Sequence, residues 1–256
     1  MRDQLHVCHD AAALAHHARN WLVRLLEQHF AQSEKPFSLA LSGGSTPRRL
    51  YSLLAELPAG SIDWKRLWLL WGDERNVPPD DESSNFRMVR ESLLDHIPIP
   101  PENILAVPQP GGEPVAAAQA YEDLLRTRLP AAKNGLPQID CVLLGLGDDV
   151  HTASLFPGTA ALGEQRRWVV ANEVPQLDCW RITLTAPAIN AAQHVVLLVS
   201  GDNKQAAMDK LWHASPDPEK YPAQLIRPNP GQLWYLLDKP ALGSTPLPEF
   251  LIAQII

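Results

Sequence analysis

The segment 37–57, FSLALSGGSTPRRLYSLLAEL, decides the fold class of this chain. It opens with the short apolar run Phe37–Leu41, which is typical of a buried strand. Two glycines then form a turn, and Pro47 begins a segment whose leucines recur at helical spacing. A strand, a glycine turn and a helix in succession are the building unit of an α/β sheet.

The same alternation of strands and helices continues along the chain. The spacing of apolar residues predicts further helices over 10–32, 84–94, 113–129, 187–191 and 202–213. Apolar runs predict further strands over 66–71, 139–144, 181–185, 194–199 and 232–237. Because strands alternate with helices, the sequence predicts an α/β fold, an open, mostly parallel sheet (Rossmann-like, doubly wound) with helices on both faces.

Length and composition bound the organisation of the chain. It has 256 residues, of which 45% are hydrophobic, and this is enough to bury a core without disulfides or a structural metal. The 24 prolines cluster in stretches that indicate stiff loops, and no internal repeat or low-complexity tract is present. We therefore expect a single domain over residues 1–256. The oligomeric state does not follow from the sequence, and a monomer is favoured.

Charge and cysteine content exclude several classes of partner. Asp and Glu outnumber Lys and Arg by 29 to 22, a formal net charge of −7. Nucleic acids and anionic membranes attract basic surfaces, so neither is expected as a partner. No apolar run approaches the ~18 residues of a transmembrane helix, and the first ten residues are too polar for a signal peptide. Three widely spaced cysteines favour a cytoplasmic protein with reduced thiols.

Polar clusters follow four of the predicted strands. In open α/β sheets, ligands bind at the carboxyl ends of the strands, so these clusters are expected to meet at one edge. They are SGGSTP at 42–47, GDERN at 72–76, GLGDDVHT at 145–152 and SGDNK at 200–204.

The first cluster has the composition of a phosphate-binding loop. Its residues are Ser42, Gly43, Gly44, Ser45 and Thr46. Glycines let the backbone approach an anion, hydroxyls donate hydrogen bonds, and the helix that follows offers free N–H groups. The nucleotide-binding pattern G-x-x-x-x-G-K-[ST] is absent. An ordinary capped helix after a glycine turn explains the same residues equally well.

The second and fourth clusters add charged side chains. Arg75 could pair with an anion while Asp73 faces the ligand, and a solvated charged turn is the alternative. Lys204 is expected in the first turn of a helix, where a cation is unfavourable against the helix dipole. A bound anion would offset that cost, whereas a solvated lysine needs no ligand.

The third cluster holds the residues best suited to catalysis. Asp149 and His151 are two positions apart, so in an extended loop they point the same way. A carboxylate on one imidazole nitrogen leaves the other nitrogen as a general base. Two unrelated polar residues of an exposed loop are the alternative. No H-E-x-x-H, clustered Cys/His or G-x-S-x-G pattern is present, so neither a catalytic metal nor a serine hydrolase is predicted.

Together these segments resemble the 6-phosphogluconolactonase family, which is related to the glucosamine-6-phosphate deaminases and isomerases. The matching segments occur in family order between residues 37 and 238. They are LALSGGSTPRRLY, WGDERNVPPDDESSNFRMV, GLGDDVHTASLFPGT, RITLTAPAIN, SGDNKQAAM, YPAQLIRP and GQLWYLLD. Several long motifs in register are far more specific than any one of them alone.

The resemblance implies a cytosolic enzyme of the pentose phosphate pathway. It would hydrolyse 6-phospho-D-glucono-1,5-lactone to 6-phospho-D-gluconate, with no metal or other cofactor. His151 matches the family's catalytic histidine, which activates water, and Asp149 would orient it. Arg75, Lys204 and the loop 42–46 match phosphate-binding positions, and Arg181 is a further candidate for that role.

One residue departs from the family pattern. The family usually has glycine between the aspartate and the histidine, where this chain has Val150. A β-branched residue tolerates a positive φ poorly, so we expect a negative φ at Val150. Its side chain would then project toward the histidine or into the adjacent core.

Two other functions remain open. A ring-opening glucosamine-6-phosphate deaminase typically has a glutamate five positions after the histidine, where this chain has Phe156. A non-catalytic phosphosugar-binding domain is the second alternative, because Val150 departs from the catalytic motif. In a transcription regulator, such a sensor domain would accompany a DNA-binding segment. The residues before 37 supply roughly one long helix, which is too little for a helix-turn-helix and a linker.

Overall fold

The main sheet of the protein has eight strands, all parallel to their neighbours. The computed structural model describes residues 3–108, 110–132 and 134–256. The strands are β1 (Asp3–Cys8), β2 (Phe37–Leu41), β3 (Leu67–Trp71), β4 (Asp73–Arg75), β5 (Ile104–Leu105), β6 (Cys141–Leu144), β7 (Val169–Val174), β8 (Cys179–Leu184), β9 (His194–Val199), β10 (Gln232–Asp238) and β11 (Leu251–Ile255). The main sheet has the order β11-β1-β10-β9-β6-β2-β3-β5. It therefore contains strands from both ends of the described chain.

Helices connect these strands, and all but the last, which the sequence did not predict, begin close to the predicted positions. They are α1 (Ala11–Gln32), α2 (Ser45–Ala55), α3 (Asn85–Ser92), α4 (Pro114–Arg128), α5 (Ala186–Asn190), α6 (Gln205–His213) and α7 (Lys239–Leu242). Asp10 caps α1 by accepting hydrogen bonds from the N–H groups of Ala12 and Ala13, and Ser84 caps α3 in the same way.

The helices cover both faces of the main sheet. In β9, Val195 and Leu197 belong to one hydrophobic core, and the alternate residues Val196 and Leu198 belong to another. Helices α4 to α6 contribute to the first core, and α1 to α3 contribute to the second. The predicted doubly wound α/β sheet is confirmed.

The predicted strand over 181–185 is observed, but it does not join the parallel sheet. This segment is β8, which lies in a separate antiparallel sheet of order β4-β8-β7. In this sheet β8 is the middle strand. It pairs with the charged residues of β4, Asp73–Arg75, which the sequence places in a loop. An apolar run cannot show which partner it will pair with, because backbone hydrogen bonds carry no sequence signal.

The connections change direction between β2 and β6. After β2 the chain adds β3 and β5 on one side, and after β6 it adds β9 and β10 on the other side. The loops that follow two such neighbouring strands separate and leave a crevice, which is where open α/β sheets bind ligands.

Candidate active site

A cavity of about 590 Å³ opens at this crevice, and every residue that the sequence singled out for the site lines it. These residues are Ser42, Gly43, Gly44, Ser45, Thr46, Asp73, Arg75, Asp149, His151, Arg181 and Lys204. They come from the loops after β2, β6 and β9 and from the small antiparallel sheet. The predicted convergence of the clusters is observed.

A tight turn after β6 brings the carboxylate and the imidazole together. The N–H of Gly147 donates to the carbonyl of His151 at 2.9 Å, and the N–H of Val150 donates to the carbonyl of Gly147 at 3.0 Å. Nδ1 of His151 lies 2.5 Å from Oδ1 of Asp149, which also accepts the N–H of His151 at 3.1 Å. With Nδ1 donating to the carboxylate, Nε2 is the basic nitrogen.

The Asp149 carboxylate is kept in its charged form. Burial is the largest single influence and raises its pKa, but the hydrogen bonds from the ring and the backbone N–H of His151, together with the electrostatic interaction with that ring, outweigh it. The net result is a pKa below the ordinary 3.8. Asp149 is therefore ionised at neutral pH and fixes the orientation of the imidazole.

Val150 adopts a positive φ of 67°, so the predicted negative φ is wrong. The turn imposes this conformation, because Val150 is held by Gly147 on one side and by the N–H of Ala223, which donates to its carbonyl at 3.0 Å. The side chain is fully buried in the core and does not line the cavity. The turn thus keeps the backbone that a glycine would take, with a buried valine in its place.

Two neighbouring residues, Phe156 and Gly147, confine the His151 ring. The ring of Phe156 stacks on the imidazole with a centroid separation of 4.0 Å and an interplanar angle of 23°. A Cβ placed on Gly147 would lie 2.1 Å from Nδ1 of His151. The ring therefore fits only because position 147 has no side chain.

Two arginines lie side by side at one rim of the cavity. Arg75 and Arg181 are directly paired residues of β4 and β8. Like charges in that arrangement repel each other, and a bound anion would offset the repulsion. Arg75 donates through Nη1 to the carbonyl of Ser83, while its buried Nε has no partner among the described residues. An unpaired buried donor beside a cavity is typical of a polar ligand site.

The loop after β2 presents its backbone to the cavity. Gly44 has a φ of 107° and forms the N-cap of α2, with no side chain to bond the first N–H groups. Oγ of Ser42 is buried and has no hydrogen-bond partner among the residues that the structure describes. Gly43 lies so close to the buried Asn85 side chain that an added Cβ would be 1.9 Å from its Oδ1. The loop is packed tightly and offers polar groups on its open side.

Asp73 lines the cavity but is not a free carboxylate. Its Oδ2 accepts a hydrogen bond from Oγ of the fully buried Ser154 at 2.5 Å, and its side chain is 8% exposed. The sequence had shown no sign of Ser154, because it is remote in the chain and sits among ordinary loop residues. Asp73 therefore faces the cavity as predicted in position, with one of its carboxylate oxygens engaged by Ser154, and its role toward a ligand stays a prediction.

Glu74 is a supporting residue that sequence reasoning missed. Its carboxylate accepts the N–H groups of Arg75, Asn85 and Phe86, each at 2.7 Å. Burial raises its pKa, these three donors oppose the rise, and the charge of Asp73 adds to it. Glu74 ties β4 to the first residues of α3 and so fixes the strand that carries Arg75.

The sequence predicts Lys204 in the first turn of a helix. In the structure Lys204 lies immediately before α6, as its N-cap residue. It ends a short 3₁₀ turn, Asp202–Lys204, that Gly201 starts with a φ of 103°. Its Nζ lies 2.6 Å from Oδ1 of Asp148. A carboxylate is therefore paired with this lysine at the start of α6.

The described residues form neither a metal-ligand cluster nor a membrane-spanning helix. Across residues 3–108, 110–132 and 134–256, no group of three or more His, Cys, Asp and Glu side chains is placed to hold a metal ion. In the same ranges, no helix has the length and apolar character needed to cross a membrane.

Comparisons with known proteins relate most of the chain to one family. A family profile described as "Glucosamine-6-phosphate isomerases/6-phosphogluconolactonase" matches residues 9–235. A 6-phosphogluconolactonase of Nostoc sp. is 40% identical over 241 residues, which are 94% of this chain and 98% of the relative. One from Synechocystis sp. is 43% identical over 205 residues, covering 80% of this chain and 82% of the relative. The crystal structure of 6-phosphogluconolactonase from Leishmania guyanensis superimposes with a TM-score of 0.86 at 30% identity, covering 96% of this chain and all of that one.

Proposed function

The chain belongs to the family of glucosamine-6-phosphate isomerases and 6-phosphogluconolactonases, and on this basis we propose that it is a 6-phosphogluconolactonase, which is a lactone hydrolase. Its substrate is 6-phospho-D-glucono-1,5-lactone, and its product is 6-phospho-D-gluconate, an intermediate of the pentose phosphate pathway. The reaction needs no metal. The observation that carries this proposal is the Asp149–His151 pair in a cavity whose rim holds three cationic side chains.

The chemistry follows from the two nitrogens of the imidazole. Nδ1 of His151 donates to Asp149, so Nε2 takes a proton from a water molecule as the water oxygen attacks the lactone carbonyl carbon. The ionised Asp149 stabilises the imidazolium that forms. The tetrahedral intermediate then collapses, the bond between the carbonyl carbon and the ring oxygen breaks, and the imidazolium returns the proton to that oxygen.

The cationic side chains account for a phosphorylated substrate. Arg75, Arg181 and Lys204 surround the cavity together with the loop 42–46. We assign the phosphate of the substrate to these groups, because a charge-assisted hydrogen bond contributes about 1.5–3 kcal/mol. The unpaired Nε of Arg75 and Oγ of Ser42 support this assignment, since a phosphate supplies acceptor oxygens for both.

Phe156 argues against the ring-opening deaminase. Family resemblance places a catalytic glutamate at this position in the deaminases, whereas here a buried phenyl ring stacks on the imidazole. A phenyl ring can neither donate nor accept a proton. The residue supports a reaction in which the histidine and its aspartate are the acid–base pair.

The backbone at Val150 argues against a domain that only binds phosphosugars. The departure from glycine at this position has left the turn and the 2.5 Å contact between His151 and Asp149 in place. The site therefore retains its acid–base pair as well as its cations.

The proposal is tested by following the disappearance of 6-phosphogluconolactone against its spontaneous hydrolysis, with and without the protein. The assay is run with and without EDTA, and ammonia release from glucosamine-6-phosphate is measured in parallel. We expect rapid lactone hydrolysis, no effect of EDTA and no ammonia. Ammonia release without lactone hydrolysis would identify a deaminase, and activity lost to EDTA and restored by a divalent ion would contradict the metal-free mechanism.

A further inference from the structure

The ion pair between Lys204 and Asp148 has no place in the reaction described above. Nζ of Lys204 lies 2.6 Å from Oδ1 of Asp148, and Nδ2 of Asn203 donates to the same oxygen at 3.2 Å. The two partners differ in exposure, because the side chain of Asp148 is 68% exposed and that of Lys204 is 22% exposed. The lysine is thus held against the protein, whereas the carboxylate reaches it from the solvent side.

An exposed carboxylate is a weak partner. Ion pairs of this kind contribute about 0.2–1 kcal/mol, because water solvates the separated charges well. A phosphate group carries up to two negative charges and presents three acceptor oxygens. It is therefore a stronger partner for the same ammonium group, and Asp148 is free to swing into the solvent.

We propose that Asp148 is a resident counter-ion of Lys204, which the phosphate of an incoming ligand displaces. The inference rests on the proposed function only in that the ligand is phosphorylated. The exchange has two consequences. It keeps Lys204 in place before the ligand arrives, and it lowers the net affinity for the phosphate, so that a phosphorylated product leaves more readily than it would from an unpaired lysine.

The opposite view is that Asp148 is one more negative charge near an anion site, with no specific link to Lys204. Asp202 separates the two views. It carries the same charge and lies in the same short turn as Lys204, but within the described part of the chain its side chain makes no hydrogen bond or ion pair with that lysine. Asp202→Asn is therefore the matched control for Asp148→Asn.

The experiment measures binding by isothermal titration calorimetry, with inorganic phosphate and 6-phosphogluconate as the probes. We expect Asp148→Asn to lower both dissociation constants about three- to fivefold, the upper part of the range for an exposed ion pair. Asp202→Asn should change the two dissociation constants by less than about twofold. Asp148→Ser, which also lacks a carboxylate and has a shorter side chain, should show the same tightening. It controls for an effect that is specific to the asparagine amide.

A second pair of variants tests the link to Lys204 directly. In a Lys204→Met background, Asp148→Asn should tighten binding no more than Asp202→Asn does, because the ammonium group for which Asp148 and the phosphate compete is gone. Equal effects of Asp148→Asn and Asp202→Asn in the wild-type background, or a full effect of Asp148→Asn without Lys204, would overturn the inference. Neither result depends on catalysis, so the lactone assay separately decides the proposed function.

Discussion

Gly147→Ala tests whether the catalytic turn must hold the His151 ring where the structure places it. The added Cβ would lie 2.1 Å from Nδ1 and 2.2 Å from Cε1 of His151, and 2.7 Å from Oδ1 of Asp149. Ordinary contacts of a Cβ begin at 3.4 Å. The ring must therefore move away, and the 2.5 Å hydrogen bond to Asp149 cannot survive unchanged.

The size of the effect follows from the displacement. Misplacing a reacting group by about 1 Å costs on the order of 10²-fold in rate, and a general base contributes 10²–10⁴-fold in total. We expect kcat of Gly147→Ala to fall about 10²-fold, with little change in KM because the phosphate contacts lie elsewhere in the cavity. Stability should change little, because the side chain of His151 is 29% exposed and can rotate toward the cavity.

Gly145→Ala provides the matched control in the same loop. A Cβ at that position meets no atom within 4 Å. We expect this variant to keep most of its kcat and its melting temperature. A Gly147→Ala protein that is folded and turns over at the wild-type rate would refute the placement of the histidine in catalysis.

Three further predictions concern the backbone, the phosphate site and a half-buried histidine. At the positive φ of Val150, Val150→Gly should be at least as stable as Val150→Ala in urea unfolding, whereas at a negative φ glycine would be about 1–2 kcal/mol less stable than alanine. Arg75→Met should raise the dissociation constant of 6-phosphogluconate about tenfold or more, while Arg90→Met, on the exposed surface of α3, should not; equal effects would argue against a phosphate contact. Burial and the nearby charges of His6 and Arg24 lower the pKa of His17 to about 4, so the unfolded state takes up the proton first. The free energy of unfolding should therefore fall as the pH drops from about 6.5 to 4, and an unchanged slope in His17→Gln would contradict this.

The central strands and their helices could be predicted because their patterns are local. The apolar runs of β2, β3, β6, β9 and β10 are long enough to be recognised, and the helices between them carry apolar residues at helical spacing. Parallel strands end at the same edge of a sheet, so the meeting of the four polar clusters followed from the fold class.

The strands that escaped prediction depend on pairing rather than on composition. β4 is the charged tripeptide Asp73–Arg75, and it becomes a strand because β8 supplies its hydrogen-bonding partner. Polar residues interrupt the apolar ones in both β1 and β7, and β11 follows a proline-rich stretch, so none of the three shows a clear apolar run in the sequence.

Contacts between remote residues were beyond sequence reasoning for a similar reason. The hydrogen bond from Ser154 to Asp73 joins residues 81 positions apart, and two of the three N–H donors to Glu74 come from α3. The positive φ of Val150 is opposed by its own residue type and is set by the turn around it. Local preference predicts the commoner backbone, and tertiary contacts override it here.

The most direct test of the account is the rate of 6-phosphogluconolactone hydrolysis by His151→Ala, measured above the spontaneous rate together with the affinity for 6-phosphogluconate. The account predicts that kcat falls by about 10²–10⁴-fold, because the general base is lost. The dissociation constant of 6-phosphogluconate should stay close to that of the wild type, because the cations that bind its phosphate are untouched. A folded His151→Ala protein that hydrolyses the lactone at the wild-type rate would contradict the central claim.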